Sequence, residues 1–346
     1  MSDTEDGARM RKPKGSEEKE KAASSSSSTS SNNNEKDDKP GGAVHDLYSK
    51  FVDSFERSLN AVVKGESCST PASRIPSLNL EGIAEFIRKE KPQDIIVMTG
   101  AGISTSAGIA DFRSPGTGLY DNLAEYKLDD PQDIFDIDFF HENPEPFFKL
   151  AKALFPKDIK PTPAHYFVRL LDKKGMLRRW FTQNIDSLEN LTGIDADKVV
   201  AAHGSHNSST CLKCKQTYDL QWITNIVFFG ENLPKRFFQC IVKDFPRCDL
   251  LIIMGTSLRV HPFAGLVDEV AGDVPRLLIN MEPAGHFGHA DRMAAVELCY
   301  GSKKSKRDIF WKGTCDEGCQ KLAELLGWDE ELDVLEEQGP PTRSLL

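Results

Sequence analysis

Long apolar runs, a surplus of basic residues and a dense set of cysteines are all missing from this sequence. The longest apolar run, Leu250 to Met254, is five residues, whereas a membrane-spanning helix needs about 20. The opening residues are polar and charged, so no secretory leader is expected. They also carry several acids, unlike a mitochondrial presequence. Lysine and arginine number 43 against 53 aspartates and glutamates, a net charge of −10. That balance argues against a sequence-independent grip on nucleic acid, which needs clustered cations. It remains compatible with a basic peptide as partner. Eight cysteines in 346 residues, without a leader, point to reduced thiols or a metal site and exclude a disulfide frame.

What is present falls into four parts. Residues 1–43 are Ser, Asn, Lys, Glu and Gly with almost nothing apolar. Such a stretch cannot bury enough surface to offset its ordering entropy and is expected to be disordered. Residues 44–77 are an amphipathic segment and a Ser/Pro linker. Leu47, Phe51, Phe55, Leu59 and Val62 recur there at helical spacing, which suits a docked helix or a nuclear export signal. The folded domain is expected over 78–328, and the acidic residues of 329–346 read as a solvated end.

Within the domain, short apolar runs occur at 94–98, 180–182, 199–202, 250–254 and 277–279. Helical stretches separate several of them. Strands alternating with helices predict an α/β fold, a Rossmann-like parallel sheet with helices on both faces. Ligands of such sheets sit at the carboxyl ends of the strands.

The polar chemistry falls at those ends. After the first run comes Thr99-Gly-Ala-Gly-Ile-Ser-Thr105. Gly100 and Gly102 allow a tight turn and close approach to a ligand, and Ser104 and Thr105 suit the N-cap of a following helix, whose free N–H groups attract a diphosphate. Thr105 stands where the third glycine of the dinucleotide fingerprint is expected, so the match is imperfect. Asp111, Phe112 and Arg113 follow within one helical length. Gln183 to Asp186, His203-Gly204, Gly255 to Ser257 and Asn280 to Glu282 close the other runs. Glu282 suits a ribose hydroxyl. His203 is the best general-base candidate, with a side chain that titrates near neutrality and a glycine beside it.

Six ordered motifs resemble the sirtuins, which are NAD-dependent protein-lysine deacylases. They are Gly-Ala-Gly-Ile-Ser (100–104), Gly-Ile-Ala-Asp-Phe-Arg-Ser (108–114), Thr-Gln-Asn-Ile-Asp (182–186), His-Gly (203–204), Val-Phe-Phe-Gly-Glu (227–231) and Gly-Thr-Ser-Leu (255–258). Residues 114–123 and 144–148 are most similar to the mainly cytoplasmic, tubulin-deacetylating branch. The resemblance implies a protein-lysine deacetylase that passes the acetyl group to ADP-ribose and releases nicotinamide, with His203 as base. It assigns the diphosphate and nicotinamide ribose of NAD to Ala101, Gly102, Ile103, Ser104, Thr105, Asp111, Phe112 and Arg113. Gln183, Asn184, Ile185 and Asp186 are implied to position ribose and nicotinamide. Thr256, Ser257, Asn280, Met281 and Glu282 are implied to bind the adenosine half, with Cys315 beside the adenine. Val227, Phe228, Phe229, Gly230 and Glu231 are implied to pair with the substrate peptide as a strand, Phe228 and Phe229 helping to line the acyl-lysine tunnel. Acetylated proteins such as tubulin or histones are the implied partners. The implied compartment is the cytoplasm, with shuttling to the nucleus.

One departure bears on function. The family's structural zinc is held by two Cys pairs about twenty residues apart. Here Cys211-Leu-Lys-Cys214 is the one C-x-x-C, and eleven residues (215–225) separate it from Ile226. By comparison, roughly twenty residues carrying the second pair are missing, which leaves 205–225 as a remnant of the small zinc module. Structural zinc wants four closed ligands, so Cys211 and Cys214 form an incomplete site. His206 and Cys240 are the candidates for a makeshift completion. Cys315 and Cys319 read instead as one cofactor-contacting and one buried thiol. Three readings stay open here: a working deacetylase, an impaired NAD-binding form or scaffold, and a protein mono-ADP-ribosyltransferase.

Overall fold

The β-branched runs become the central strands of one sheet. All five residues of Ile95–Thr99 (β1) are buried, as a strand covered on both faces requires. The structure, a computed structural model, describes residues 74–111, 118, 128, 130–154, 159–205, 209–210, 217–218, 225–285, 298–302 and 305–340. The expectations for 1–73, and those resting on Phe112, Arg113, His206, Cys211 and Cys214, lie outside the described residues. After β1 come Leu177–Thr182 (β2) and Val199–Ala201 (β3), then four two-residue strands: Gly204–Ser205 (β4), Ser209–Thr210 (β5), Thr217–Tyr218 (β6) and Asn225–Ile226 (β7). Leu250–Met254 (β8), Arg276–Asn280 (β9) and Asp308–Lys312 (β10) complete the set.

The main sheet has the order β3-β2-β1-β8-β9-β10, with every pairing parallel. β2 and β3 lie to one side of β1, and β8, β9 and β10 to the other. This is the doubly wound arrangement, whose ligand crevice lies where the order reverses, at the carboxyl ends of β1 and β8. β4 pairs with β7 and β5 with β6, both antiparallel, away from that sheet.

The helices are Leu80–Glu90 (α1), Ile137–Glu142 (α2), Glu145–Leu154 (α3), Pro163–Lys173 (α4), Leu188–Leu191 (α5), Lys235–Asp244 (α6), Cys315–Leu326 (α7) and Asp329–Gln338 (α8). Successive strand residues part to opposite faces. Ile95 and Val97 join Phe86 of α1, Phe167 of α4 and Leu322 of α7 in one core. Ile96 and Met98 join Phe237 and Ile241 of α6 in the other. A third, small cluster gathers Ile134, Phe135, Phe147, Leu150 and Phe228. Among the described residues no helix is long and apolar enough to cross a membrane.

Two expectations need correction. The sequence places the last helix of the domain at Gln320 to Leu326, but it starts at Cys315, because Thr314 and Glu317 form a reciprocal cap. The Glu317 N–H donates to Thr314 Oγ1 at 3.2 Å, and the Thr314 N–H to Glu317 Oε2 at 3.0 Å, the Thr-x-x-Glu signature of a helix start. Residues 329–338 are not a solvated end. They form α8, which buries Leu332 and Leu335 in the core shared with α4 and α7. Its three leading acids sit in the first turn, where the helix dipole favours negative charge. Lys174 Nζ lies 2.7 Å from Glu331 and 4.4 Å from the Trp328 ring centroid. Leu332→Ala is therefore expected to cost about 2–5 kcal/mol, read as a lower denaturant midpoint at unchanged m-value.

Candidate functional site

At the crevice, two glycine segments touch backbone to backbone. The Gly100 N–H donates to Met254 O at 3.1 Å and the Gly102 N–H to Gly255 O at 2.9 Å. A Cβ on Gly102 would lie 2.7 Å from Gly255 Cα. One on Gly255, whose φ is +61°, would lie 2.5 Å from Ile103 N. Side chains at either position would part the ends of β1 and β8.

The chain beyond β1 does not enter a long helix. It makes two short 3-10 turns, Ala101–Ile103 and Thr105–Ala107, and Ser104 caps neither through its side chain. The N-cap expected of Ser104 and Thr105 is thus corrected. Buried Ser104 instead donates its Oγ–H to Asp186 Oδ2 at 2.7 Å, and Thr105 Oγ1 donates to Gly102 O at 3.2 Å. Asp111 follows, half-buried.

The end of β2 knits these parts together. The Gln183 N–H donates to Thr99 O at 2.9 Å, and Gln183 Oε1 accepts from Thr256 Oγ1 at 2.8 Å. Asn184 is buried and gives its Nδ2 to Gly100 O at 3.1 Å and Ser104 Oγ at 3.3 Å. Asp186 accepts the Leu188 N–H at 2.9 Å as well as the Ser104 hydroxyl. Ile185 between them is half-buried. Residues 80 positions apart in sequence are thereby held in one wall, Ala101 and Ile103 included.

His203 follows β3 and is half-buried. Its Nδ1 lies 3.0 Å from Gln183 O. A carbonyl only accepts, so the proton sits on Nδ1 and Nε2 is left with a free lone pair. Burial pushes the imidazole below its ordinary range, with the Gln183 carbonyl opposing, so the ring is neutral at pH 7. That is the state a general base needs. The imidazole and the glycine turn share Gln183 as a common neighbour, since a Cβ on Gly100 would lie 3.1 Å from Gln183 Oε1.

The His203 carbonyl accepts the Val227 N–H at 2.9 Å, which brings 227–231 alongside. Phe229 donates its N–H to Phe135 O at 2.8 Å and accepts the Ile137 N–H at 3.1 Å. The Phe228 N–H goes to Glu231 Oε2 at 2.9 Å, and Gly230 has φ +91°. The two rings expected to share one tunnel alternate. Phe228 packs against Phe140 and Phe147, at centroid distances of 4.7 and 4.9 Å, while Phe229 is 40% exposed.

At the end of β9, Asn280 gives its Nδ2 to Thr256 O at 3.3 Å and Glu282 O at 2.9 Å. Ser257, Met281 and Glu282 are exposed. Cys315 opens α7 close by, since the Gly313 N–H donates to Asn280 O at 3.1 Å. Its thiol is buried and pushed up to about 12, chiefly by that burial. Cys319 is buried too, and its Sγ lies 3.3 Å from Met254 Sδ. Asp316 was not singled out by the sequence. It accepts Ser106 Oγ at 2.5 Å and the Ala164 N–H at 3.0 Å, tying the second 3-10 turn to α4. The partners are 210 and 152 residues apart, so no local pattern announces them.

Of the candidate zinc ligands, only Cys240 lies among the described residues. β5 and β6 pair across the segment holding Cys211 and Cys214. The five cysteines among the described residues are all buried. Cys240 lies inside the α6 core, its thiol raised mainly by burial, and so is not available to complete the site.

Fold and site together define a doubly wound α/β protein with a half-buried imidazole, His203, hydrogen-bonded to Gln183 at the strand ends. The family model of the Sir2 family matches residues 100–225 and 223–262. The two pieces meet at residues 223–225. The chain is 47% identical over 306 residues to NAD-dependent protein deacetylase sirtuin-2 of Danio rerio, spanning 81% of this chain and 80% of that one. It is 41% identical over 279 residues to NAD-dependent protein deacetylase hst2 of Schizosaccharomyces pombe, spanning 75% and 80%. With NAD-dependent deacetylase sir2A of Dictyostelium discoideum it shares 44% over 279 residues, 74% of this chain and 53% of that one. The chain belongs to the Sir2 family.

Proposed function

We propose that the chain is an NAD-dependent protein-lysine deacetylase. The observation that carries this reading is the lock of His203 Nδ1 on Gln183 O, which frees Nε2 as base beside the Gly100–Gly102 turn. When bound, NAD would supply an electrophilic ribose carbon through departure of nicotinamide, open to attack by the acetyl oxygen of the substrate. Nε2 of His203 takes the ribose hydroxyl proton. Gln183 and Asn184 orient the ribose, and the 100–105 turn holds the diphosphate, with Phe112 and Arg113 assigned to the same end by the resemblance. Thr256, Ser257, Asn280, Met281, Glu282 and Cys315 take the adenosine half, and 227–231 takes the peptide. Acetylated proteins such as tubulin and histones are the proposed substrates. The proposed compartment is the cytoplasm, with passage into the nucleus.

Mixing the chain with NAD and an acetyl-lysine peptide should release nicotinamide and free lysine together. Label from NAD retained on protein, without deacetylation, would instead mark an ADP-ribosyltransferase. The halved ligand set adds a second expectation. Elemental analysis of the full chain should find far less than one zinc per molecule, and turnover should fall well below that of relatives carrying both Cys pairs. Stoichiometric zinc would overturn that part of the proposal.

A further inference from the structure

Beneath the cofactor wall lies a polar cluster that the proposed reaction does not use. Glu189 of α5 and His165 of α4 are buried, at 1% and 0% exposure. A ring nitrogen of His165 and one carboxylate oxygen each from Asp186 and Glu189 lie within 4.8 Å of one another. Glu189 Oε1 and His165 Nε2 are buried with no hydrogen-bond partner. Buried polar atoms of this kind are costly, and they call for an explanation.

The connections run upward to the site. The Thr182 side chain acts on the Glu189 carboxyl, favouring its charged form against burial, and Thr182 Oγ1 accepts the Asn184 N–H at 3.0 Å. Asn184 in turn holds Gly100 and Ser104. Asp186, which receives the Ser104 hydroxyl, stands on the other side of Glu189. His165 Nδ1 is occupied on its far side, 3.2 Å from the Thr162 N–H and 2.7 Å from Thr162 Oγ1, which donates to Ile103 O at 3.0 Å. Both 182–186 and 100–105 therefore rest on this one cluster.

We propose that Glu189 is a positioning residue for the dinucleotide site, bracing Asn184 through Thr182 and Ser104 through Asp186. The proposal rests on the NAD-binding reading given above. Burial first, and the Asp186 charge second, push the Glu189 carboxyl up to about 8, with the Thr182 hydroxyl opposing. Burial also raises Asp186 and drives His165 down to about 3. The titratable groups facing Glu189 are Asp186 from the preceding loop and His165 from α4. At pH 7 Glu189 keeps its proton and His165 is neutral, so the cluster is short of negative charge. Raising the pH through about 8 strips that proton and sets a second anion beside Asp186, below a site that must receive a diphosphate. The sign is that of a raised acid: its support is complete at low pH and lost as pH rises through the folded-state value.

The test is direct NAD binding by calorimetry on the full chain, from neutral to alkaline pH. Wild-type affinity should weaken by up to about tenfold per pH unit above about 8. Glu189→Ala should bind NAD about tenfold more weakly throughout, with the KM for acetyl-peptide little changed. Glu189→Gln, which keeps the shape and cannot ionise, should restore neutral-pH binding and erase the alkaline loss. A Glu189→Gln variant that retains the alkaline loss overturns the proposal, as does a Glu189→Ala variant that binds like wild type. A divalent-cation requirement would mark the cluster as a metal site and overturn it as well. If Glu189→Ala does not fold, the Glu189→Gln profile decides. Wild type that binds no NAD overturns the proposed function too, whereas pH-independent binding by wild type overturns this inference alone.

Discussion

His203→Ala should lower the rate of nicotinamide-coupled deacetylation by about 10²–10⁴-fold, the usual contribution of a placed general base, while NAD still binds. The imidazole is not a ligand-gripping group in this site. It is oriented by one main-chain carbonyl, Gln183 O at 3.0 Å, and its free Nε2 is the atom that would move a proton. Its removal leaves Gln183, Asn184 and the glycine contact in place. Because burial holds the ring below the ordinary imidazole value of about 6.5, the acid limb of kcat/KM should fall beneath that value. The sign is fixed: protonation removes the base, so activity drops as pH falls. The limb should vanish in His203→Ala. A residual rate within about tenfold of the parent, or less than about 1.4 kcal/mol of barrier, would remove His203 from the chemistry.

Gly255→Ala should have the largest effect on cofactor binding. The position combines φ +61° with a Cβ site 2.5 Å from Ile103 N and 2.6 Å from Gly102 C. The neighbours are main chain and cannot swing aside. A left-handed conformation at a non-glycine residue costs about 1–2 kcal/mol, and overpacking adds about 1–3 kcal/mol. Relief comes from parting the turn after β1 from the end of β8, which is where a diphosphate would lie. The expected result is loss of measurable NAD binding together with a lower unfolding midpoint. Gly108→Ala is the matched control. It too has a positive φ, +89°, but nothing lies within 4 Å of its added Cβ, so it should show the conformational cost without the loss of binding. Equal NAD affinity in Gly255→Ala and wild type would show that the close glycine contact is not part of the site.

The central sheet was legible because its strands are buried on both faces and so read as unbroken apolar runs. Leu250 to Met254 coincides with β8, residue for residue. β10 was not legible. It starts at Asp308 and ends at Lys312, and its first residue is polar for a long-range reason. Asp308 takes Arg276 Nε at 2.6 Å and Nη2 at 2.8 Å across to β9, a buried bidentate pair whose partners are 32 residues apart in sequence. α8 was hidden by its acids, which drew attention from Leu332 and Leu335 three residues apart. The polar strand ends stood out as a group. What they do to one another did not, since Ser104 to Asp186 or Thr256 to Gln183 are contacts between loops that periodicity does not connect. Glu189 left no trace in the motifs, because a buried acid looks like a surface one until the fold surrounds it.

Phe229 spends both of its main-chain groups on Phe135 and Ile137, and Val227 spends its N–H on His203. The 227–231 ribbon is thus riveted at three points to parts of the chain that lie outside 205–225. The path of 227–231 past His203 is therefore set by the aromatic cluster and the end of β3, and a change confined to 205–225 leaves all three of these bonds in place.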